Sequence, residues 1–266
     1  MAEVTLELIK ELREKTGAGI MDAKEVLKEA EGDIEKAIEL LRKKGDKISI
    51  KKQDREAKEG VIAFSIAGNK IAVVELYCET DFVARNSDFI SATNALANKL
   101  ITSGVDSFES WAKEEIKNNL IVKVGENLQL GKFEVVEGSV LGSYLHINKK
   151  VASIVVLSAG DEELAHSIAM QVAAMNPPYL SPEDVPEDVK QKEMEIYKEQ
   201  LASENKPENV MEKIIIGKMA KYYSEVCLLK QPFFQDEKKT IEDLVKESAA
   251  KMGGEIRIEK FIRYSI

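Results

Sequence analysis

Apolar residues recur at helical spacing through the first 45 positions. Leu8, Ile9 and Leu12 form one stripe, closed by Thr16-Gly17-Ala18-Gly19, residues that accept turn geometry. Met21, Val26, Leu27 and Ala30 form a second stripe, and Gly32-Asp33 breaks and caps. Ile34, Ala37, Ile38 and Leu41 carry a third until Gly45. The spacing predicts three short helices over 1–45, a small module with little core of its own that works by docking. From 46 to 59 nearly every residue is polar, with Lys51, Lys52, Arg55 and Lys58. A charged, solvated tether is the expectation there, in preference to an RNA contact.

The period then changes to two. Val61 to Ile66, a Gly68-Asn69 turn and Ile71 to Tyr77 predict a β-hairpin. Glu59-Gly60-Val61 with Lys70-Ile71-Ala72 is echoed by Glu137-Gly138-Ser139-Val140 with Lys150-Val151-Ala152. A helical pattern follows each, from Ser87 to Ile101 and from Asp161 to Met175, the latter stopped by Asn176-Pro177-Pro178. The expected fold class is α+β, with a core of two related halves and antiparallel sheets. The first half covers 60–137; the second covers 138–185 and 224–266. Residues 186–223 have thin apolar seams in a charged background. Val189, Ile196, Tyr197 and Leu201 line one helix, and Val210, Met211, Ile214, Ile215 and Met219 line another. With a bend at Glu204-Asn205-Lys206-Pro207, they predict an inserted antiparallel helical hairpin, a candidate surface for homodimerisation. After it, Glu225 to Leu229 reads as a strand, Thr240 to Lys251 as a capped helix and Glu255 to Ile266 as a closing strand.

Charge narrows the partner. The 266 residues carry a formal net charge of −9, and residues 1–55 hold 13 basic and 13 acidic side chains. The remaining 25 basic and 34 acidic side chains therefore hold the whole excess. An acidic chain without a basic stripe is a poor ligand for nucleic acid, where neutralising phosphates supplies most of the affinity. A protein partner is expected, with no direct nucleic-acid contact. Two cysteines, Cys78 and Cys227, make no disulfide framework and suit a reducing cytosol. No apolar run approaches the ~18 residues of a membrane helix. Glu3, Glu7 and Glu11 speak against a transit peptide. A cytoplasmic protein beginning at or near Met1 is the expectation.

Catalytic chemistry is hard to find. No Gly-rich cradle ends in Gly-Lys-Ser/Thr, and Gly17-Ala18-Gly19 follows no strand. His146 and His166 are in no metal-ligand spacing, so no metal and no cofactor are expected. Cys78 and His146 can be paired on paper as a thiol-dependent hydrolase, but a cysteine inside a β-run is more often a small buried hydrophobe. Trp111 reads as the anchor of a helix from Phe108 to Leu120. What stands out is Glu79-Thr80-Asp81-Phe82-Val83-Ala84, a strand-to-helix turn carrying an acid beside a large aromatic ring. Phe82 either packs under its own helix with Asp81 as the cap, or is held out for a partner's apolar crevice.

Several segments resemble one family. Leu12 to Lys24, reading LREKTGAGIMDAK, resembles the N-terminal signature of elongation factor Ts, the nucleotide exchange factor of translation. Glu79 to Asn86 resembles its second signature. Val124-Gly125-Glu126-Asn127, Gly142 to His146, Gln231-Pro232-Phe233 and Phe261 to Tyr264 extend the match collinearly. The resemblance implies a ubiquitin-associated-like helical module, a two-subdomain α+β core and an inserted coiled-coil hairpin. It also implies a partner, elongation factor Tu, and an activity without covalent chemistry, the promotion of GDP release. Carried over, Thr80, Asp81, Phe82 and Val83 would dislocate the partner's Mg²⁺, while Arg13, Ile20, Met21 and His146 would bind the partner. Many bacterial members continue past the Phe-Ile-Arg-Tyr strand through a Gly-Glu-Gly segment into a terminal helix. This sequence stops at Ile266, so that contact is expected to be missing. A general helical adaptor, with residues 1–45 binding some other protein, is the competing reading.

Overall fold

The computed structural model describes residues 4–52, 55–202 and 207–266. The chain is α+β and divides into two compact units. One comprises Met1–Glu137, Leu145–Ala152 and Tyr264–Ile266; the other comprises Gly138–Tyr144 and Ser153–Arg263.

The first unit opens with α1 (Leu6–Thr16), α2 (Ile20–Glu29) and α3 (Ile34–Lys52). Thr5 caps α1 by accepting from the Leu8 N–H, and Gly17 ends it at φ 68°, a conformation that favours glycine. The stripes read from the sequence meet one another: Leu12, Ala23, Leu27 and Ala37 are fully buried, and Val122 joins their cluster. Lys44 ties α3 to α2 through Asp22 at 2.7 Å and Glu25 at 2.5 Å. Helix α3 runs on past Gly45, where the sequence suggested a stop. One interior glycine costs a helix only about 1 kcal/mol, which does not by itself end it. Of the expected tether, residues 53 and 54 lie outside the described residues.

Next come β1 (Glu59–Ala67) and β2 (Lys70–Cys78), then α4 (Asp81–Ala84), α5 (Ser87–Ser103) and α6 (Val105–Glu115). A π turn over Ile116–Leu120 leads into α7 (Ile121–Val124) and then β3 (Gln129–Glu137). The sheet is ordered β1-β2-β3 and antiparallel, with Ala67 paired to Lys70 across Gly68-Asn69 and Lys70 to Glu137. Alternation in β2 is plain: Ala72, Val74, Leu76 and Cys78 face the cluster made with Phe89, Leu96 and Phe108. The same unit buries Tyr264, whose hydroxyl donates to Glu134 at 2.8 Å. Strand β3 went unread in the sequence; Leu130, Phe133, Val135 and Val136 carry its apolar signal.

A second sheet core is built from β4 (Val140–Leu145) and β5 (Val151–Leu157), with α8 (Glu162–Met175), α9 (Glu187–Ala202) and α10 (Glu208–Val226) following. A small antiparallel pair, β6 (Pro232–Phe233) and β7 (Asp236–Thr240), precedes α11 (Ile241–Met252) and β8 (Ile258–Ser265). The second sheet is ordered β4-β5-β8. Val155, Leu157, Leu164, Ile168 and Val172 are buried together. Gly142 lets β4 lie against α8: a Cβ there would stand 2.1 Å from the Ala165 carbonyl carbon. Buried Gln171 holds the segment after the hairpin, donating to the Pro232 carbonyl at 3.1 Å and accepting from the Phe234 N–H at 3.0 Å. The strand read at Glu225 to Leu229 is absent. Helix α10 continues to Val226, Leu228–Lys230 forms a 3₁₀ turn, and Cys227 makes only an isolated bridge to Tyr179. Of the expected hairpin bend, Glu204, Asn205 and Lys206 lie outside the described residues. Among the described residues no helix is long and apolar enough to cross a membrane.

Candidate partner-binding site

The turn after β2 is built by a buried strand end and two loops. Cys78 closes β2 with no exposure, and its thiol lies 3.3 Å from the Thr80 carbonyl, to which it donates. Burial, and after it the negative charge of Glu126, pushes that thiol up to about 12. It is therefore protonated at neutral pH and shut away from solvent, which removes the thiol-dependent hydrolase reading.

Thr80, not Asp81, caps the one-turn helix α4. Its hydroxyl oxygen accepts from the Val83 N–H at 3.4 Å. Asp81 is in the first turn, where a carboxylate suits the helix dipole, and pairs with Arg85 at 3.1 Å. Ala84 is buried, and half-buried Val83 packs against the hydrophobic cluster. A turn that seats Val83 and Ala84 inward turns the residue before them outward: Phe82 is 83% exposed. The idea that Phe82 packs beneath its own helix is thus wrong, because that place is taken by Val83 and Ala84.

A second loop holds this turn, and the sequence alone assigned it no role. The Glu126 carboxylate accepts three bonds: from the Glu79 and Thr80 N–H groups, both at 3.0 Å, and from the Thr80 hydroxyl at 2.6 Å. In return, Glu79 accepts from the Asn127 N–H at 2.7 Å. Arg55 reaches the other oxygen of Glu79 at 3.2 Å, and its carbonyl accepts from the buried Asn127 amide at 2.8 Å. Gly125, at φ 73°, ends α7 and delivers Glu126 and Asn127 to this place. The available signals were a glycine closing a helix ahead of two polar residues and the family resemblance of Val124 to Asn127, which carried no role.

The remaining candidates sit on other elements. Ile20 and Met21 open α2 and are 56% and 77% exposed. Arg13 is exposed near the end of α1, and its Nε donates to the Ala18 carbonyl at 3.2 Å, bracing the corner that presents those two residues. Gly17 makes room for the Lys123 side chain, whose Cε would be 2.4 Å from a Cβ added there. His146 is exposed in the turn after β4, where its backbone bonds to Val151 and Lys149. Beside it Ile147 is 91% exposed, a residue the sequence reading passed over. Among the described residues no cluster of three or more His, Cys, Asp or Glu could hold a metal ion. The arrangement contains no nucleophile beside a base. It offers protruding apolar side chains on braced turns.

A family model described as Elongation factor TS matches residues 79–266, beginning at the first residue of the clamped turn. The chain is also similar to elongation factor Ts of Clostridium botulinum (strain Eklund 17B / Type B), 41% identical over 279 residues, covering 98% of this chain and 92% of that one. Elongation factor Ts of Desulfovibrio desulfuricans is 39% identical over 284 residues, covering 100% and 99%. That of a Nitratiruptor species is 43% identical over 278 residues, covering 97% and 91%.

Proposed function

Because the chain belongs to the elongation factor Ts family, whose members exchange nucleotide on elongation factor Tu, we propose that it releases GDP by presenting Phe82 to the partner's nucleotide-binding domain. The observation that carries this reading is the 83% exposure of Phe82 on a turn whose other apolar residues point inward. Burying such a ring in a crevice contributes about 2–3 kcal/mol. In this reading Asp81 disturbs the network around the partner's Mg²⁺, with Thr80 and Val83 fixing the geometry of the intruding segment. Mg²⁺ neutralises phosphate charge and bridges it to protein, so its displacement removes much of what holds GDP.

Docking is assigned to other residues. Residues 1–45 act as a docking module through Arg13, Ile20 and Met21, and His146 adds a contact from the core. The first core half, 60–137, carries the wedge and the loop that holds it. The inserted hairpin, 186–223, takes no part in the wedge. No bond to this chain is made or broken in the exchange. To speed GDP loss 10³-fold, the complex lowers the release barrier by roughly 4 kcal/mol.

Linkage supplies the test. If the chain weakens the partner's hold on GDP, GDP must weaken the partner's hold on the chain by the same factor. Titrating the chain into elongation factor Tu, with and without millimolar GDP, measures the coupling from one side, and reciprocity fixes the other. A stable complex that excess nucleotide dissolves is the expected result. A complex indifferent to nucleotide would favour the adaptor reading.

A further inference from the structure

We propose that Glu126 is a positioning residue for exchange, acting through the Thr80 hydroxyl to hold α4, and with it Phe82, in the presenting conformation. The inference rests on the reading of Phe82 as the residue that acts on the partner. Helix α4 has four residues, too few to persist without outside support. Its side-chain cap is the Thr80 hydroxyl oxygen, which accepts from the Val83 N–H at 3.4 Å.

That hydroxyl is itself oriented. Its proton is given to Glu126 Oε1 at 2.6 Å, which turns its lone pairs toward Val83. The other carboxylate oxygen takes the N–H groups of Glu79 and Thr80, so one side chain fixes two successive peptide units and a rotamer. Bonds to an ionised acceptor are roughly twice as strong as neutral ones, and these are partly buried. Glu79, Asn127 and Arg55 close the array from the other side. Phe82 takes part in none of these bonds and is 83% exposed. A side chain presented on a fixed backbone loses less freedom on binding, which is where the clamp would gain its effect.

This assigns Glu126 and Thr80 an effect on the rate within the complex, and none on docking through α1 and α2. The test is release of a fluorescent GDP analogue from elongation factor Tu, titrated with the parent, Glu126→Ala, Phe82→Ala and the double variant. Expected is a loss of about fivefold or more in the saturating rate for Glu126→Ala, with the half-saturating concentration within about twofold of the parent. In the double variant the rate should fall no further than in Phe82→Ala alone, because both changes interrupt one chain of contacts. Glu126→Gln keeps the two backbone bonds through its amide oxygen, but its NH2 cannot accept the Thr80 hydroxyl proton, so most of the loss should remain. If Glu126→Ala does not fold, Thr80→Val removes the linking hydroxyl while keeping the side-chain shape, and the same loss is expected. A parent-like saturating rate in the folded variant, or losses that multiply in the double variant, overturns the proposal. A parent chain that accelerates nothing overturns the exchange reading as well, a result distinct from an active parent beside an equally active variant.

Discussion

Phe82 and Cys78 are four positions apart and have opposite fates. The ring is 83% exposed, so removing it takes away no packing. Phe82→Ala should therefore leave unfolding free energy within about 0.5 kcal/mol of the parent, a null result readable in urea. Cys78 and Cys227 are fully buried, with burial raising their thiols to about 12 and about 11. Iodoacetamide at pH 8 should label neither cysteine in the native chain and both after denaturation; fast native labelling would show that the β2 end opens. Phe82 was legible in the sequence as an aromatic on a turn, but its direction was not. That depends on Val83 and Ala84 occupying the inward positions, which only the packing of α4 decides. The bond of Glu126 to Thr80 joins residues 46 apart in sequence, a distance over which local pattern carries no information.

Individual elements were legible where their ends carry local chemistry. Thr240 caps α11 in a reciprocal box with Asp243, as the Thr-Ile-Glu-Asp spelling suggests. Thr240→Ala should cost about 1 kcal/mol of stability. The Thr240 N–H and hydroxyl hold the Asp243 carboxyl below its usual range. Its folded pKa is depressed, so this contribution is complete above the unfolded value of ~4 and fades as pH falls through the lower folded value. A Thr240→Ala penalty that shrinks below pH 4 in urea titrations would bear this out; one that grows would contradict it. Where apolar runs fit two periods, reading failed. Glu225 to Leu229 matches a strand as well as a helix end; α10 takes the run as far as Val226, Cys227 is extended in a single bridge, and a 3₁₀ turn takes the rest. Gly142 marks the reverse case, a glycine whose need appears only once α8 lies across β4. Gly142→Ala should destabilise by about 1–3 kcal/mol, since its Cβ would meet backbone that cannot swing aside.

At the scale of the molecule, docking and displacement are assigned to different elements. Arg13 braces the corner from which Ile20 and Met21 protrude, whereas Phe82 rises from a turn held by the 125–127 loop. Arg13→Ala should raise the concentration needed for half-maximal exchange and leave the saturating rate nearly unchanged; Phe82→Ala should do the reverse. The chain is proposed to act by contact, with Phe82 as the residue that opens the nucleotide site. The most direct test is the rate at which a fluorescent GDP analogue leaves elongation factor Tu under saturating parent chain or saturating Phe82→Ala. Strong acceleration by the parent, cut by about tenfold or more in the variant, is the predicted result. Equal rates for the two would contradict a role for Phe82 in opening the site.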